Sequence, residues 1–351
     1  MSNPVISVHP AAGKPAATRV IIVGLGHHGL LLASQIVERG YDLVGAVEVN
    51  DLVGQPLSAI VPGAKEGAIV HASPAEASGT LPDVAVLAAT VPTTVAVELA
   101  RELLAAGVNV VALPAELFDP EQSWQPELDA LGKKTGATLL ATGVQDTWWV
   151  HMPALAAGSS SNISRIAVEH VVDVNTLSMD VASFLGIGRP PDATSASGPQ
   201  PYVAGEGEAV LGAALQEAAR LIGLTPTCTT LSAEPVLAGE PVRWTAGNRT
   251  IMPGRIIGTK ERTLIETAQG VALEGTLHTV ILTDDQQPSD RLTIDGTPRL
   301  VLEHRPFPGE QITNIAVLNR IPDVIVAPGG VMGASQLPAA RPWLGLTRRA
   351  H

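Results

Sequence analysis

Residues 19–48 read RVIIVGLGHHGLLLASQIVERGYDLVGAVE, and this stretch decides the fold. Its first five residues, RVIIV, are a β-branched apolar run that predicts a buried strand. Gly24 to Gly29 then form a tight glycine turn, residues 30–39 carry helical spacing, and Gly40 supplies a helix stop. A second apolar run, residues 43–49, predicts the next strand. Strand, glycine turn, helix and strand in that order are the opening unit of a parallel sheet covered by helices.

The glycines Gly24, Gly26 and Gly29 fall in the pattern G-x-G-x-x-G, in the context that gives the pattern physical content. Gly24 permits the turn, Gly26 lets the backbone approach a pyrophosphate, and Gly29 allows helix and strand to pack closely. The N-terminus of the following helix offers free N–H groups to the anion. Glu48, at the end of the second strand, has the position of a carboxylate that accepts hydrogen bonds from the ribose hydroxyls of a dinucleotide and repels a 2′-phosphate. The implied cofactor is NAD or NADP, with NAD favoured. The backbone N–H groups of His27 and His28 face the pyrophosphate in this reading, and their rings serve packing or solvent. Adjacent histidines lack the i, i+4 spacing of a metal pair, so no metal is expected. Thr90 and Pro92, in the loop after a further strand at 84–88, stand where a second loop covers the dinucleotide.

Working outward, the alternation continues through a short strand at 68–70, a helix at 94–106, a strand at 109–112, a helix at about 126–134 and a strand at 138–141. The texture then changes to a long strand at 163–174, a Pro, Gly, Ser and Ala-rich loop at 187–207, an amphipathic helix at 208–222 and strand-like alternation over 228–302. A last helix is expected over 311–320, stopping at Ile321-Pro322. The predicted fold class is α/β: a Rossmann-type doubly wound parallel sheet with a second α+β domain for substrate binding and dimerisation. The expected boundaries are 1–147 for the dinucleotide-binding domain and 148–310 for the second, with the tail 311–351 packing back on the first.

Composition fits this reading. The chain has 351 residues, of which 45% are hydrophobic and 16% charged, enough apolar surface for a large core and too much for intrinsic disorder. A formal net charge of −12 repels a phosphate backbone and an anionic membrane, so neither nucleic acid nor membrane is an expected partner. One cysteine, Cys228, forms no internal disulfide and is expected to be a small buried residue. The first twenty residues lack the apolar core of a secretory signal, which predicts a cytoplasmic protein. Aromatic residues make up only 3% of the chain, so the adjacent Trp148 and Trp149 at the expected domain junction draw the eye.

Glu116 follows the strand at 109–112, at the carboxyl edge of the sheet where doubly wound folds bind ligands. A carboxylate there can hold an ammonium or iminium group or exchange a proton with an amine; it can also be an exposed acid at a helix start, in company with Asp119, Glu121 and Glu127. Trp148 and Trp149 can wall an apolar pocket or pack a hinge, with Trp148 preferred for the pocket. Gln145 and Asp146 can orient a substrate or cap the following helix. Asp173, ending a strand, is a cleft candidate for which structural use is the stronger reading.

The stretches ATGVQDTWWVHMPAL, RIAVEHVVDVN and IAVLNRIPDVIVAPGG together resemble the 2,4-diaminopentanoate dehydrogenase and native amine dehydrogenase group, relatives of dihydrodipicolinate reductase. The resemblance runs from the glycine turn to the tail, with the middle, about 190–308, matching in outline only. Gln145 to Trp149 stand where the diaminopentanoate enzymes tend to carry an Asn-Pro-Gly type sequence, which is closer to the amine dehydrogenases. The His-rich motif with a catalytic lysine of dihydrodipicolinate reductase does not occur. The resemblance implies an NAD(P)-dependent enzyme that interconverts a primary amine with a ketone or aldehyde plus ammonia, as a homodimer. It implies that Glu116 handles the amine and that Asn319 holds the nicotinamide carboxamide; a helix C-cap is the other reading of Asn319. Two alternatives stand beside this function: a dehydrogenase of a diamino or amino acid, whose carboxylate would need Arg165 or Arg189, and a dinucleotide sensor without chemistry.

Overall fold

The computed structural model describes residues 17–114, 117–118, 122–177, 179–191 and 210–343. In the first part of the chain, strands and helices alternate: β1 (Arg19–Val23), α1 (His27–Glu38), β2 (Asp42–Val47), β3 (Val70–His71), α2 (Pro74–Ser78), β4 (Val84–Leu87), α3 (Thr93–Ala105), β5 (Asn109–Ala112), α4 (Gln125–Thr135) and β6 (Thr138–Ala141). A π-helical segment, Gln145–His151, runs into α5 (Met152–Ala157). The second part comprises β7 (Ser161–Asp173), α6 (Met179–Phe184), α7 (Val210–Ile222) and the strands β8 (Pro226–Leu237), β9 (Val242–Trp244), β10 (Arg249–Ile251), β11 (Ile256–Thr267), β12 (Ala272–Val280), β13 (Ser289–Thr297) and β14 (Leu300–His304). The chain ends with α8 (Gly309–Val326) and β15 (Gly330–Met332).

Two sheets organise these elements. The first has seven strands in the order β15-β6-β5-β4-β1-β2-β3, all parallel. Its strands read as nearly continuous apolar runs because both faces are covered by helices. Val84, Ala85, Val86 and Leu87 of β4, for instance, are all buried. The chain leaves β1 toward β2 and β3, then returns to the other side of β1 through β4. That reversal opens a crevice outside the carboxyl ends of β1 and β4, the place where doubly wound sheets bind ligands. This is the Rossmann-type α/β architecture expected from the sequence.

The second sheet has six strands in the order β14-β13-β7-β12-β11-β8. It is mixed: β7 and β12 are parallel, and their outer neighbours are antiparallel. Helix α7 lies on one face, close enough that a Cβ on Gly275 would stand 2.9 Å from the Leu215 side chain. The other face is laced with charge. Arg165 pairs with Glu274 and Asp295, Arg262 with Glu234, and His278 with Glu169. The apolar core does not stop between the sheets: it runs from Val110 and Leu139 through Trp149 and Val150 to Ile166, Val168 and Leu292.

Three local expectations are corrected. Helix α8 does not stop before Pro322 but runs on to Val326. Pro322 removes one backbone donor, yet Ile321 and Val324 on either side are fully buried and Arg320 and Asp323 are paired across it, so tertiary packing outweighs the break. Strand β2 ends at Val47, which leaves Glu48 just beyond it, free to turn back toward the glycine turn. Cys228 is exposed, because β8 is an edge strand and its side chain at that register faces solvent. Among the described residues, no helix is long and apolar enough to cross a membrane.

Candidate active site

The glycine turn occupies the crevice between β1 and β4. Gly24 has φ +94°, and a Cβ there would lie 2.7 Å from the Ala89 backbone, so only glycine fits. A Cβ on Gly29 would lie 1.9 Å from the Gly24 carbonyl oxygen, the close helix-to-strand approach that the motif requires. Gly26 differs: it is exposed, and a Cβ on it would meet nothing within 4 Å. The protein therefore does not need glycine at position 26 for its own packing, and the bare backbone at this helix N-cap leaves room for a ligand. Helix α1 begins there with no side-chain cap and no acidic residue in its first turn. Its first N–H groups are thus open to an anion at the positive end of the helix dipole. These residues fit a dinucleotide pyrophosphate, which the backbone N–H groups of His27 and His28 beside Gly26 could hold.

Glu48 faces the same turn. Its two carboxylate oxygens accept hydrogen bonds from the backbone N–H groups of Leu25 and Val49, each at 2.9 Å. The pair of bonds fixes the carboxylate beside the turn. Thr90 is exposed in the loop after β4, and Pro92 sits at the N-cap of α3, so both flank the crevice next to Ala89.

The start of α8 closes the other side. Glu310 lies 2.7 Å from His27 Nε2, Asn314 Oδ1 lies 3.1 Å from His28 Nδ1, and the Thr313 hydroxyl accepts from the Val144 backbone at 3.3 Å. The rings of His27 and His28 are therefore tied to α8. Asn319 is not with them: its Oδ1 accepts from Arg39 Nη1 at 2.8 Å, at the far end of α1 from the glycine turn. Asn314, five residues earlier and buried, is the asparagine that reaches the turn. Only the pitch of α8, running alongside α1, distinguishes the two, and the sequence alone carries no sign of it.

Past β6 the chain enters the π-helical segment, where the expected pocket residues separate into groups. The Gln145 amide folds back over Gly143, where an added Cβ would lie 2.6 Å from its oxygen. Asp146 is not a pocket residue. It has no exposed surface, and its carboxylate takes a bidentate pair of hydrogen bonds at 2.7 Å from Arg320 Nε and Nη2, with another at 2.8 Å from the Thr142 hydroxyl. His151 Nε2 stands 3.3 Å away. Burial alone would raise the Asp146 pKa, but the hydrogen bonds of His151, Arg320 and Thr142 and the Arg320 charge hold it below the usual carboxylate range. Arg320 is itself wholly buried and also bonds Asp323 and the Pro338 carbonyl. Asp173 is likewise structural: it accepts from the Asn175 and Leu282 backbones and caps a short turn.

The two tryptophans divide as adjacent side chains must. Trp149 is buried and donates its indole N–H to Asp290 at 2.8 Å, which places it in the core and not on an open wall. Trp148 is half-buried and meets Phe307 edge to face, with centroids 5.0 Å apart, and His304 at 5.9 Å. His170 of β7 stands between Trp149 and Phe307, at 4.9 and 5.1 Å. An aromatic cluster thus forms where the π-helical segment meets the second sheet, and Phe307 leads directly into the α8 turn that holds the glycine loop. Its members His170, Asp290, His304 and Phe307 escape a sequence reading because they lie on separate strands and a linker. Glu116 lies outside the described residues; the strand before it, β5, ends at the carboxyl edge of the first sheet. Among the described residues, no group of three or more His, Cys, Asp or Glu is arranged to hold a metal ion.

The structure superposes on the amine dehydrogenase from Mycobacterium smegmatis with a TM-score of 0.82 and 32% sequence identity, over 92% of this chain and 97% of that one. The chain belongs to the amine dehydrogenase family. Two more distant structures share the fold: a UDP-N-acetylglucosamine 3-dehydrogenase from Acidithiobacillus ferrooxidans, at 13% identity, TM-score 0.55 and coverage of 94% and 93%, and a dipicolinate-bound dihydrodipicolinate reductase from a Paenisporosarcina species, at 14%, 0.51, 92% and 100%. No protein-family model and no curated protein sequence matches the chain. Membership in the amine dehydrogenase family agrees with the resemblance carried by the TGVQDTWW, VEHVVDV and LNRIPDV stretches.

Proposed function

We propose that this chain catalyses reversible, NAD(P)-dependent reductive amination of a ketone or aldehyde with ammonia to a primary amine. The observation that carries the reading is identity of 32% over nearly the whole length with an amine dehydrogenase. The uncapped helix and bare Gly26 support it by fitting a dinucleotide. When bound, the nicotinamide supplies the hydride. The protein's own tasks are to bind the carbonyl compound away from water, hold the cationic iminium and move protons. Glu116, after β5, is the residue we assign to the iminium and its proton, and Trp148 with Phe307 the apolar wall of the substrate site. Gly24, Gly26, Gly29, His27 and His28 hold the pyrophosphate, and Glu48 favours NAD over NADP by receiving the ribose hydroxyls.

Within this reading, residues 1–147 with the tail 311–351 form the dinucleotide domain, and 148–310 form the substrate-binding and dimerisation domain of a cytoplasmic homodimer. Of the two arginines that an amino-acid carboxylate would call on, Arg165 is engaged by Glu274 and Asp295, so such a substrate would depend on Arg189. The test is oxidation of reduced cofactor with ammonia and a panel of aliphatic carbonyl compounds, repeated with Glu116→Gln. The variant should lose about 100-fold or more in turnover, the usual scale of acid–base catalysis. Wild-type turnover by the variant would remove Glu116 from the chemistry.

A further inference from the structure

His170 and Asp290 form a buried pair that the proposed function does not yet use. His170 is 4% exposed and Asp290 1%. They sit directly opposite each other on β7 and β13, with side chains on the face that meets the π-helical segment. Asp290 Oδ2 lies 3.0 Å from His170 Nδ1 and also accepts the Trp149 indole N–H at 2.8 Å. An indole only donates, so an ionised Asp290 accepts at the shared oxygen from both neighbours, and the His170 nitrogen facing it then brings the proton. The ring is thereby held as the Nδ1–H tautomer, with Nε2 left as the basic nitrogen. No described residue hydrogen-bonds Nε2. Edge-to-face contacts with Trp149 and Phe307 fix the ring plane, and Phe307 in turn carries the half-buried Trp148 and the exposed His304 that border the cluster on the solvent side.

A carboxylate that sets the tautomer of an imidazole whose other nitrogen is unpaired is the arrangement of an acid–base group. Resting on the amine dehydrogenase reading, we propose that His170 is the acid–base group on the oxygen side of imine formation, with Asp290 and Trp149 as the residues that position it. Ammonium gives a proton to Nε2, and the lone pair of the resulting ammonia forms the C–N bond while the carbonyl π pair moves to oxygen. A proton passes from the new ammonium nitrogen to that oxygen, giving the carbinolamine. The imidazolium then returns its proton to the hydroxyl as the C–O bond breaks and the nitrogen lone pair forms the C=N bond. The products are the iminium, water and a neutral His170.

His170→Gln tests this, since the amide keeps a donor toward Asp290 but cannot carry a proton. Turnover of a carbonyl compound with ammonia should fall about 100-fold or more. The deuterium isotope effect from reduced cofactor labelled at its transferring position should be no larger than in the unaltered protein, because the slowed step precedes hydride transfer. His170→Phe, which refills the aromatic cage, should behave alike. Asp290→Asn should lose the predominance of the Nδ1–H form, read from imidazole 15N NMR shifts, and should lower turnover less than either His170 variant. Turnover within about threefold of the unaltered protein in His170→Gln, or a loss accompanied by a larger isotope effect, would overturn the assignment, for the latter would place the damage at the hydride step. An unaltered protein that turns over no carbonyl compound with ammonia would instead remove the amine dehydrogenase reading, and this proposal with it.

Discussion

The glycine turn and the aromatic junction both border the start of α8, and they are built in opposite ways. The turn is made of backbone. Its essential features are a positive φ at Gly24, a missing Cβ at Gly29 and Gly26, and the open N–H groups of α1, all within six consecutive residues. The junction is made of side chains drawn from β7, β13, β14, the π-helical segment and the linker before α8, and its hydrogen bonds span up to 141 positions of chain. Beneath it the Asp146–Arg320 pair, 174 positions apart, ties the π-helical segment to the helix that grips the turn. A backbone site tolerates almost any neighbouring side chain but no added Cβ. A side-chain site fails when one partner of a buried pair is lost.

Five substitutions can break or sharpen that contrast. The largest effect is expected from Gly29→Val, whose Cβ would overlap the Gly24 carbonyl at 1.9 Å. It should destabilise the fold by on the order of 4 kcal/mol or more, seen as loss of soluble protein or a collapsed denaturation midpoint. Next is Arg320→Met, which strands the Asp146 charge in the core; chemical denaturation should show a loss of about 3–5 kcal/mol. The pair also carries a pH signature. The folded pKa of Asp146 is lowered, so its contribution is fully present above the unfolded carboxylate value near 4 and is lost as pH falls through the folded value. Asp146→Asn should therefore flatten the acid side of the stability curve below about pH 4.

Trp149→Phe removes the indole donor to Asp290 together with part of the buried ring volume, and should cost about 1.5–3 kcal/mol or more, the range for a hydrogen bond to a charged group plus the space left behind. Gly26→Ala is the sharpest instrument because its Cβ meets no protein atom. Stability should stay within about 0.5 kcal/mol, while the dissociation constant for NADH, read by its fluorescence, rises about tenfold or more, equivalent to ~1.4 kcal/mol. Equal affinity in that variant would mean the turn holds no pyrophosphate.

The same contrast accounts for what was legible in the sequence. Alternating apolar runs, the G-x-G-x-x-G spacing and an acid after the second strand are local signals, and they located the parallel sheet and the turn. Stop signals were less reliable: Pro322 reads as a helix end but is carried inside α8 because Ile321 and Val324 are buried and Arg320 and Asp323 pair across it. Asp146 reads as a pocket acid, and nothing near it in the chain announces that its counter-ion is Arg320. The adjacent tryptophans stand out in the sequence, while the difference between a buried Trp149 and a half-buried Trp148 depended on which strand each ring met.

By itself, then, the sequence determined the βαβ order, the conformation of the glycine turn and the presence of a second sheet, because periodicity and backbone freedom are properties of neighbouring residues. The pairing of His170 with Asp290, the buried clamp of Asp146 with Arg320, and the choice of Asn314 over Asn319 beside the turn were decided only by the tertiary structure. The physical reason is one of range: a carboxylate's partner is chosen by what the folded core brings within about 3 Å, and that choice is written in the packing of whole strands and helices.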